Sequence, residues 1–142
     1  SKLTAISARR DTAHAEIKRI ESRSAELALV MKHAGTYRQL KPLYDRYRKS
    51  NDKEKFLRGH ESEIILFEAA ARELKRLGTV PLPTTESMKT ELANLNAEKE
   101  RLLAEYKAAR TEVQEYDTVK QNVDALLAVP KEQEQQRRHE LE

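Results

Sequence analysis

Four histidines, His14, His33, His60 and His139, are the residues from which a metal site or a general base would be built, and their spacing builds neither. The nearest approach is His60-Glu61-Ser62-Glu63-Ile64. A helical zinc-protease site needs a second histidine one turn after the first, and Ile64 stands in that place. His60 itself falls on an apolar stripe and is expected at the edge of a core. Three scattered glycines cannot form a phosphate-cradling loop, and the absence of Cys excludes a thiolate metal site and a disulfide scaffold. Carboxylates are plentiful but alternate with Lys and Arg at helical spacing, the pattern of a solvated helix face. The five tyrosines all fall on expected helices, and Tyr37, Tyr44 and Tyr47 share one stripe, so packing is their expected role rather than nucleophilic attack. No Ser/His/Asp or Cys/His grouping is present. These residues offer no catalytic group, no metal ligand set and no cofactor, and the stretch is not expected to be an enzyme.

One segment has an unusual charge balance. Between Lys32 and Arg58 stand nine basic residues, Lys32, Arg38, Lys41, Arg46, Arg48, Lys49, Lys53, Lys55 and Arg58, against Asp45, Asp52 and Glu54. The segment carries +6 while the whole chain carries +3, so the remainder carries −3. Cations interleaved with Tyr37, Tyr44, Tyr47 and Phe56 match a nucleic-acid-facing surface, where charge meets phosphate and rings stack on bases. A solvated basic face with its rings turned inward is the competing reading, and the tyrosine spacing favours it for the rings. The candidate DNA contacts are Arg38, Lys41, Arg46, Arg48, Lys49, Lys53, Lys55 and Arg58.

Long helices must position these residues. Of 142 residues, 38% are hydrophobic and 36% charged, with no Trp, which suits helices that bury narrow stripes rather than a thick core. The first helix is expected from about Leu3 to His33, with Leu3, Ile6, Arg10, Ala13, Ile17, Ile20, Ser24, Leu27 and Met31 at heptad a/d positions. Gly35 offers a left-handed cap. A short helix over Thr36–Lys49 follows, with Pro42 kinking or splitting it. A third helix starts at an Asn51 N-cap with Glu54 three residues on, carries Phe56, His60, Ile64, Phe67, Ala71 and Leu74 on its apolar face, and ends at Gly78. The prolines of TVPLPT make an extended connector. Thr84 or Thr85 then caps the longest helix, to about Ala128, with a seam at Met88, Leu92, Leu95, Lys99, Leu102, Tyr106, Ala109, Val113, Tyr116, Lys120, Val123 and Leu127. Pro130 stops it, leaving a polar, disordered tail. The expected architecture is all-α: an elongated antiparallel coiled-coil or helical hairpin with two shorter middle helices, as one domain over residues 1–129 and a tail over 130–142. A homodimer covers the same seams equally well, and the sequence leaves both open. No apolar run reaches the roughly 18 residues of a membrane span. The polar start without Met suggests a piece of a longer protein.

Three stretches together suggest a family. MKHAGTYRQLKPLYDRYRKS, KEKFLRGHESEIILFEAAARELKRLG and PLPTTESMKTELANLNAEKERLLAEYKAARTEVQEYDTVKQNVDALL, in that order, resemble the C-terminal helical region of relaxases, the mobilisation nucleases of bacterial conjugative plasmids and integrative elements. The resemblance covers about Leu29 to Leu127. The order of pieces around Tyr37, Phe56-His60-Glu61, the PLPT connector and the final TVKQNVDALL is distinctive, whereas the heptads are generic. The resemblance implies a DNA-transfer protein of the bacterial cytoplasm whose nuclease domain, with its tyrosine and metal-holding histidine cluster, lies elsewhere. This stretch lacks the His-x-His type cluster, so no catalytic residue is carried over. Its implied jobs are DNA binding at an origin of transfer, dimerisation, or docking to transfer-machinery proteins. The alternative is a structural coiled-coil spacer or dimerisation module of an unrelated cytosolic protein. The charge concentration between Lys32 and Arg58 discriminates, since a spacer has no need of it.

Overall fold

The computed structural model describes the backbone of residues 1–141 and the side chains of residues 1–128. It is all-α, with α1 (Lys2–Lys49), α2 (Lys53–Arg76) and α3 (Thr85–Leu141), and no strand among the described residues. The chain divides into two compact units, one formed by Ser1–Lys18 with Lys99–Glu142 and the other by Arg19–Glu98. The tail expected over 130–142 falls beyond the residues whose side chains are described.

In the first unit α1 and α3 run antiparallel. Arg9 donates to Glu112 at 2.6 Å, and His14, further along α1, lies against Tyr106, earlier on α3, with ring centroids 5.7 Å apart. The core of this pair is Ile6, Ala13 and Ile17 of α1 with Leu102 and Ala109 of α3, all at expected seam positions. A seam this narrow is what alternating three- and four-residue spacing produces, because only one stripe per helix can face a single partner.

The second unit holds three helices, and its sequence pattern changes accordingly. Ile20 and Leu27 continue the seam, but Val30 and Ala34 are also fully buried, a row that a single coiled-coil seam does not contain. A third helix packs there, and α2 supplies it with Ile64, Phe67, Ala70 and Leu74 buried at helical spacing. Met88 and Leu95 of α3 complete the core.

The number of helices is where expectation and structure part. Gly35 does not cap α1, and Pro42 does not divide it; the expected short helix over Thr36–Lys49 is the end of α1. Gly35 has no positive φ, and nothing lies within 4 Å of a Cβ placed there. A glycine inside a helix costs about 1 kcal/mol against alanine, and a proline about 3 kcal/mol. Both costs are offset because Val30, Ala34 and Leu43 are buried and Tyr37 and Tyr44 stack on Phe67 of α2, packing that a break in α1 would unseat. The bounds of α3 likewise pass Pro130, which was expected to stop it. There is therefore one middle helix, not two.

The caps of α2 and α3 follow local chemistry. Asp52, one residue after the expected Asn51, is the N-cap of α2, its Oδ1 accepting from the amide of Lys55 at 3.1 Å. At the other end Gly78 adopts φ +70, its amide donating to the Lys75 carbonyl and that of Thr79 to the Leu74 carbonyl, each at 3.1 Å. This pair of bonds is a Schellman motif, and the left-handed residue it requires is a glycine. Thr84 caps α3, its Oγ1 accepting from the Ser87 amide at 3.1 Å.

A cross-helix ion pair in the second unit gives a pH-dependent term. Arg23 donates to both carboxylate oxygens of Glu91, at 2.7 and 3.0 Å, and this hydrogen-bonded charge holds the Glu91 carboxyl below its ordinary value. A carboxyl depressed in the folded state adds stability above its unfolded pKa, near 4.3, and loses that stability as pH falls through the folded value. Both side chains are roughly 40% exposed, so screening keeps the contribution below about 1 kcal/mol. Glu91→Gln is expected to lower stability at pH 7 by no more than that, with wild type and variant converging once pH falls below the depressed Glu91 value, as read by urea denaturation.

Candidate nucleic-acid interface

The cationic cluster sits where α1 ends and α2 begins. Arg46, Arg48 and Lys49 occupy the last turn of α1, Ser50-Asn51-Asp52 makes the connection, and Lys53, Lys55 and Arg58 fall in the first two turns of α2. All six are exposed, and none of their side chains has a hydrogen bond or ion pair with another of the described residues. Against them this turn carries only Asp52, which is engaged as the cap of α2, and Glu54.

The two halves of the cluster differ physically. Basic residues at a helix C-terminus complement the macrodipole, so Arg46, Arg48 and Lys49 have a sufficient structural reason to be there. Lys53 and Lys55 do not. They lie in the first turn of α2, where the dipole is positive and each cation costs about 0.3–1 kcal/mol. Helix stability would place acids there, and the sequence keeps Glu54 as the only one in that turn.

Two of the eight expected contacts are engaged elsewhere. Arg38 donates to the Thr85 hydroxyl at 3.0 Å and to the Pro83 carbonyl, tying α1 to the connector before α3. Lys41 donates to Asp45 at 2.6 Å one turn along α1, and that carboxylate raises the Lys41 ammonium above its ordinary value. The structure therefore groups six of the eight residues at the turn and sets Arg38 and Lys41 apart from it.

The rings face one another. Phe67 is stacked by Tyr37 at 4.8 Å and Tyr44 at 4.3 Å between ring centroids. From Tyr44 the series continues through Tyr47 and Phe56 to His60, with centroid separations of 5.9, 6.0 and 4.7 Å. These rings join α1 to α2 and position the turn. His60 breaks the helical backbone, with φ −137 and ψ 24, directly after Gly59. Its Nδ1 has no hydrogen-bond partner, and Glu63 Oε1 lies 3.7 Å away.

Sequence reasoning missed a second set of cations. A shallow groove of about 560 Å³ runs between α1 and α2, lined by Tyr37, Tyr44, Lys41 and Arg48 on one side and Phe67, Arg72 and Lys75 on the other. Arg72 and Lys75 lie beyond the basic segment in sequence. The signal was helical spacing: Glu68, Arg72 and Lys75 recur at i, i+4 and i+7 beside buried Phe67 and Leu74. No group of three His, Asp or Glu that could hold a metal ion occurs among the described residues, and none of the described helices is long and apolar enough to cross a membrane.

The class defined so far is an all-α chain with a cationic turn between two antiparallel helices. No known protein family, curated protein or solved structure matches it.

Proposed function

We propose that this chain is a non-catalytic DNA-binding region whose α1–α2 turn grips the phosphate backbone, and that it serves as the accessory helical part of a conjugative-transfer relaxase in the bacterial cytoplasm. The observation that carries the DNA-binding half is the placement of Lys53 and Lys55 at the positive end of α2, beside Arg46, Arg48 and Lys49 with no protein partner among the described residues. Cations held against a helix dipole at a cost to the helix are accounted for by an anionic ligand. The relaxase half rests on the resemblance of residues 29–127. Docking to transfer-machinery proteins belongs to the same reading.

Phosphate contact through charge alone makes a definite prediction. Each neutralised phosphate lowers the slope of log K against log salt by about 0.9 on duplex DNA, so engagement of all six cations gives a slope near −5. Tyr37, Tyr44, Tyr47 and Phe56 are half-buried and engaged with other rings, which leaves them little face for base stacking, and a single strand is expected to bind no better than a duplex. Fluorescence anisotropy with a labelled duplex and a single strand of equal length, between about 50 and 200 mM salt, reads both quantities. Absence of binding at the lowest salt would return the turn to the competing reading, a structural spacer whose basic residues only face solvent.

A further inference from the structure

The groove between α1 and α2 ends, beside the connector, in an apolar pocket of about 380 Å³. Ala71, Leu74, Val80 and Leu82 form most of its wall. Tyr37, Ala71 and Lys75 line both the pocket and the groove, so one opens into the other. The connector side of the pocket is tied down. Arg38 of α1 donates to the Pro83 carbonyl and, at 3.0 Å, to the Thr85 hydroxyl, while the Thr79 hydroxyl donates to the Leu74 carbonyl at 3.0 Å. The pocket is therefore formed without a ligand, and its volume falls at the lower end of the range for ligand sites, about 300–1,000 Å³. One bulky apolar side chain with its backbone fits such a space.

Beyond the pocket the groove is cationic. Lys41 and Arg48 of α1 and Arg72 and Lys75 of α2 line it against Asp45 and Glu68, a balance of +2. Asp45 is already taken by Lys41. The side chains of Arg48, Arg72 and Lys75 make no hydrogen bond or ion pair with another of the described residues. Cations on both lips of one groove focus a positive potential that draws an anion in. Lys41 and Arg48 are seven residues apart, about 10 Å along the helix axis. An extended chain covers that length with about three residues.

We infer that this groove binds an extended acidic peptide segment of a partner protein. One bulky apolar side chain of the segment fills the pocket, and carboxylates on the residues next to it lie along Lys41, Arg48, Arg72 and Lys75. Each half of the site disfavours a different alternative. A wholly apolar ligand leaves the cations unanswered. A DNA duplex answers them but keeps its bases stacked inside, with no apolar side chain to seat against Leu74 and Leu82. An acidic segment with a single apolar anchor satisfies both halves within the length of the groove. The anchor supplies most of the affinity, and the carboxylates set orientation and speed of association. Arg48 borders both this groove and the cationic turn, whereas Lys41, Arg72 and Lys75 lie outside the turn, so the inference does not rest on DNA binding.

Fluorescence polarisation of a labelled peptide, one leucine with three glutamates on each side, titrated with the full 142-residue chain at low salt, tests this. The symmetric peptide serves either chain direction. Saturable binding below about 1 mM is expected. Alanine in place of the leucine is expected to weaken it about tenfold or more, because the pocket is left empty. Arg72→Glu with Lys75→Glu, both at exposed positions and checked for unchanged helicity, is expected to weaken it to a similar extent. No saturation by about 1 mM overturns the proposal. Equal affinity for the leucine and alanine peptides overturns it too, since charge alone would then be at work, as does indifference to the double variant. The same variant is titrated with duplex DNA. A loss for the duplex as large as that for the peptide would assign the groove to nucleic acid and overturn the peptide reading. Failure of the chain to bind DNA at all would remove the role of the turn and leave the peptide titration unaffected.

Discussion

Phe67→Ala is expected to remove about 3–5 kcal/mol of folding free energy, the largest loss of any single truncation in the second unit. Phe67 is 4% exposed and carries the rings of Tyr37 and Tyr44 stacked against it, at 4.8 and 4.3 Å. Truncation removes the transfer free energy of the ring, leaves a cavity, and abolishes two aromatic pairs worth about 0.5–1.5 kcal/mol each beyond their buried area. Relaxation cannot close the gap cheaply, since Tyr37 and Tyr44 are fixed by α1, whose Leu43 is itself buried. The neighbouring Leu66 is 56% exposed, and Leu66→Ala is expected to stay within about 0.5 kcal/mol. Urea denaturation followed by circular dichroism compares the two. Equal losses would mean that α2 turns a face other than that of Ile64, Phe67 and Leu74 toward α1.

The outlines of this fold were legible because heptad spacing is a direct image of one-sided burial. Every expected seam position on α1, including Arg10 and Ser24, is at least half-buried, and on α3 the same holds through Val113. What misled was punctuation. Gly35 and Pro42 read as breaks because propensity rules weigh each residue alone, whereas Ala34 and Leu43 beside them are buried against other helices, and that packing outweighs a few kcal/mol of local cost. Val30 and Ala34 escaped notice for a related reason: a two-helix seam predicts Met31 as the next position, and only the presence of α2 moves the stripe. On α2, Ala70 is buried beside the expected Ala71, which is itself half-buried.

The site was legible as charge but not as arrangement. Counting cations between Lys32 and Arg58 marks the α1–α2 turn as basic, yet a count cannot tell that Arg38 is occupied by Pro83 and Thr85 or that Lys41 answers Asp45. Those partners are fixed by the connector and by i, i+4 geometry. The packing of the rings was readable from Tyr37, Tyr44 and Tyr47 sharing a stripe, because residues on one helical face meet the same neighbouring helix, here through Phe56 and Phe67. Arg72 and Lys75 required knowing that α2 folds back along α1, which brings them beside Arg48.

Reversing the three charges that end α1 is expected to have the largest functional effect. Arg46→Glu, Arg48→Glu and Lys49→Glu together replace three cations by three anions within one helical turn, next to Lys53 and Lys55. At least three phosphate contacts are lost, and like-charge repulsion opposes those that remain. With contacts worth about 1 kcal/mol each, affinity for duplex DNA should fall by about 10²–10³ at low salt, and the salt slope should shrink by about 3. The acids also oppose the dipole at the end of α1, at about 0.3–1 kcal/mol each, so circular dichroism must show the helices intact before the loss is assigned to DNA contact. A control with the same change in net charge, Lys89→Glu, Lys107→Glu and Arg110→Glu on the exposed surface of α3, separates a local grip from a general attraction between a basic chain and an acidic polymer. Screening confines surface charges to about 8–10 Å at moderate salt, so cations outside the contact contribute little and the control should lose less than tenfold. Equal losses in both triples would place the DNA contact somewhere other than the α1–α2 turn.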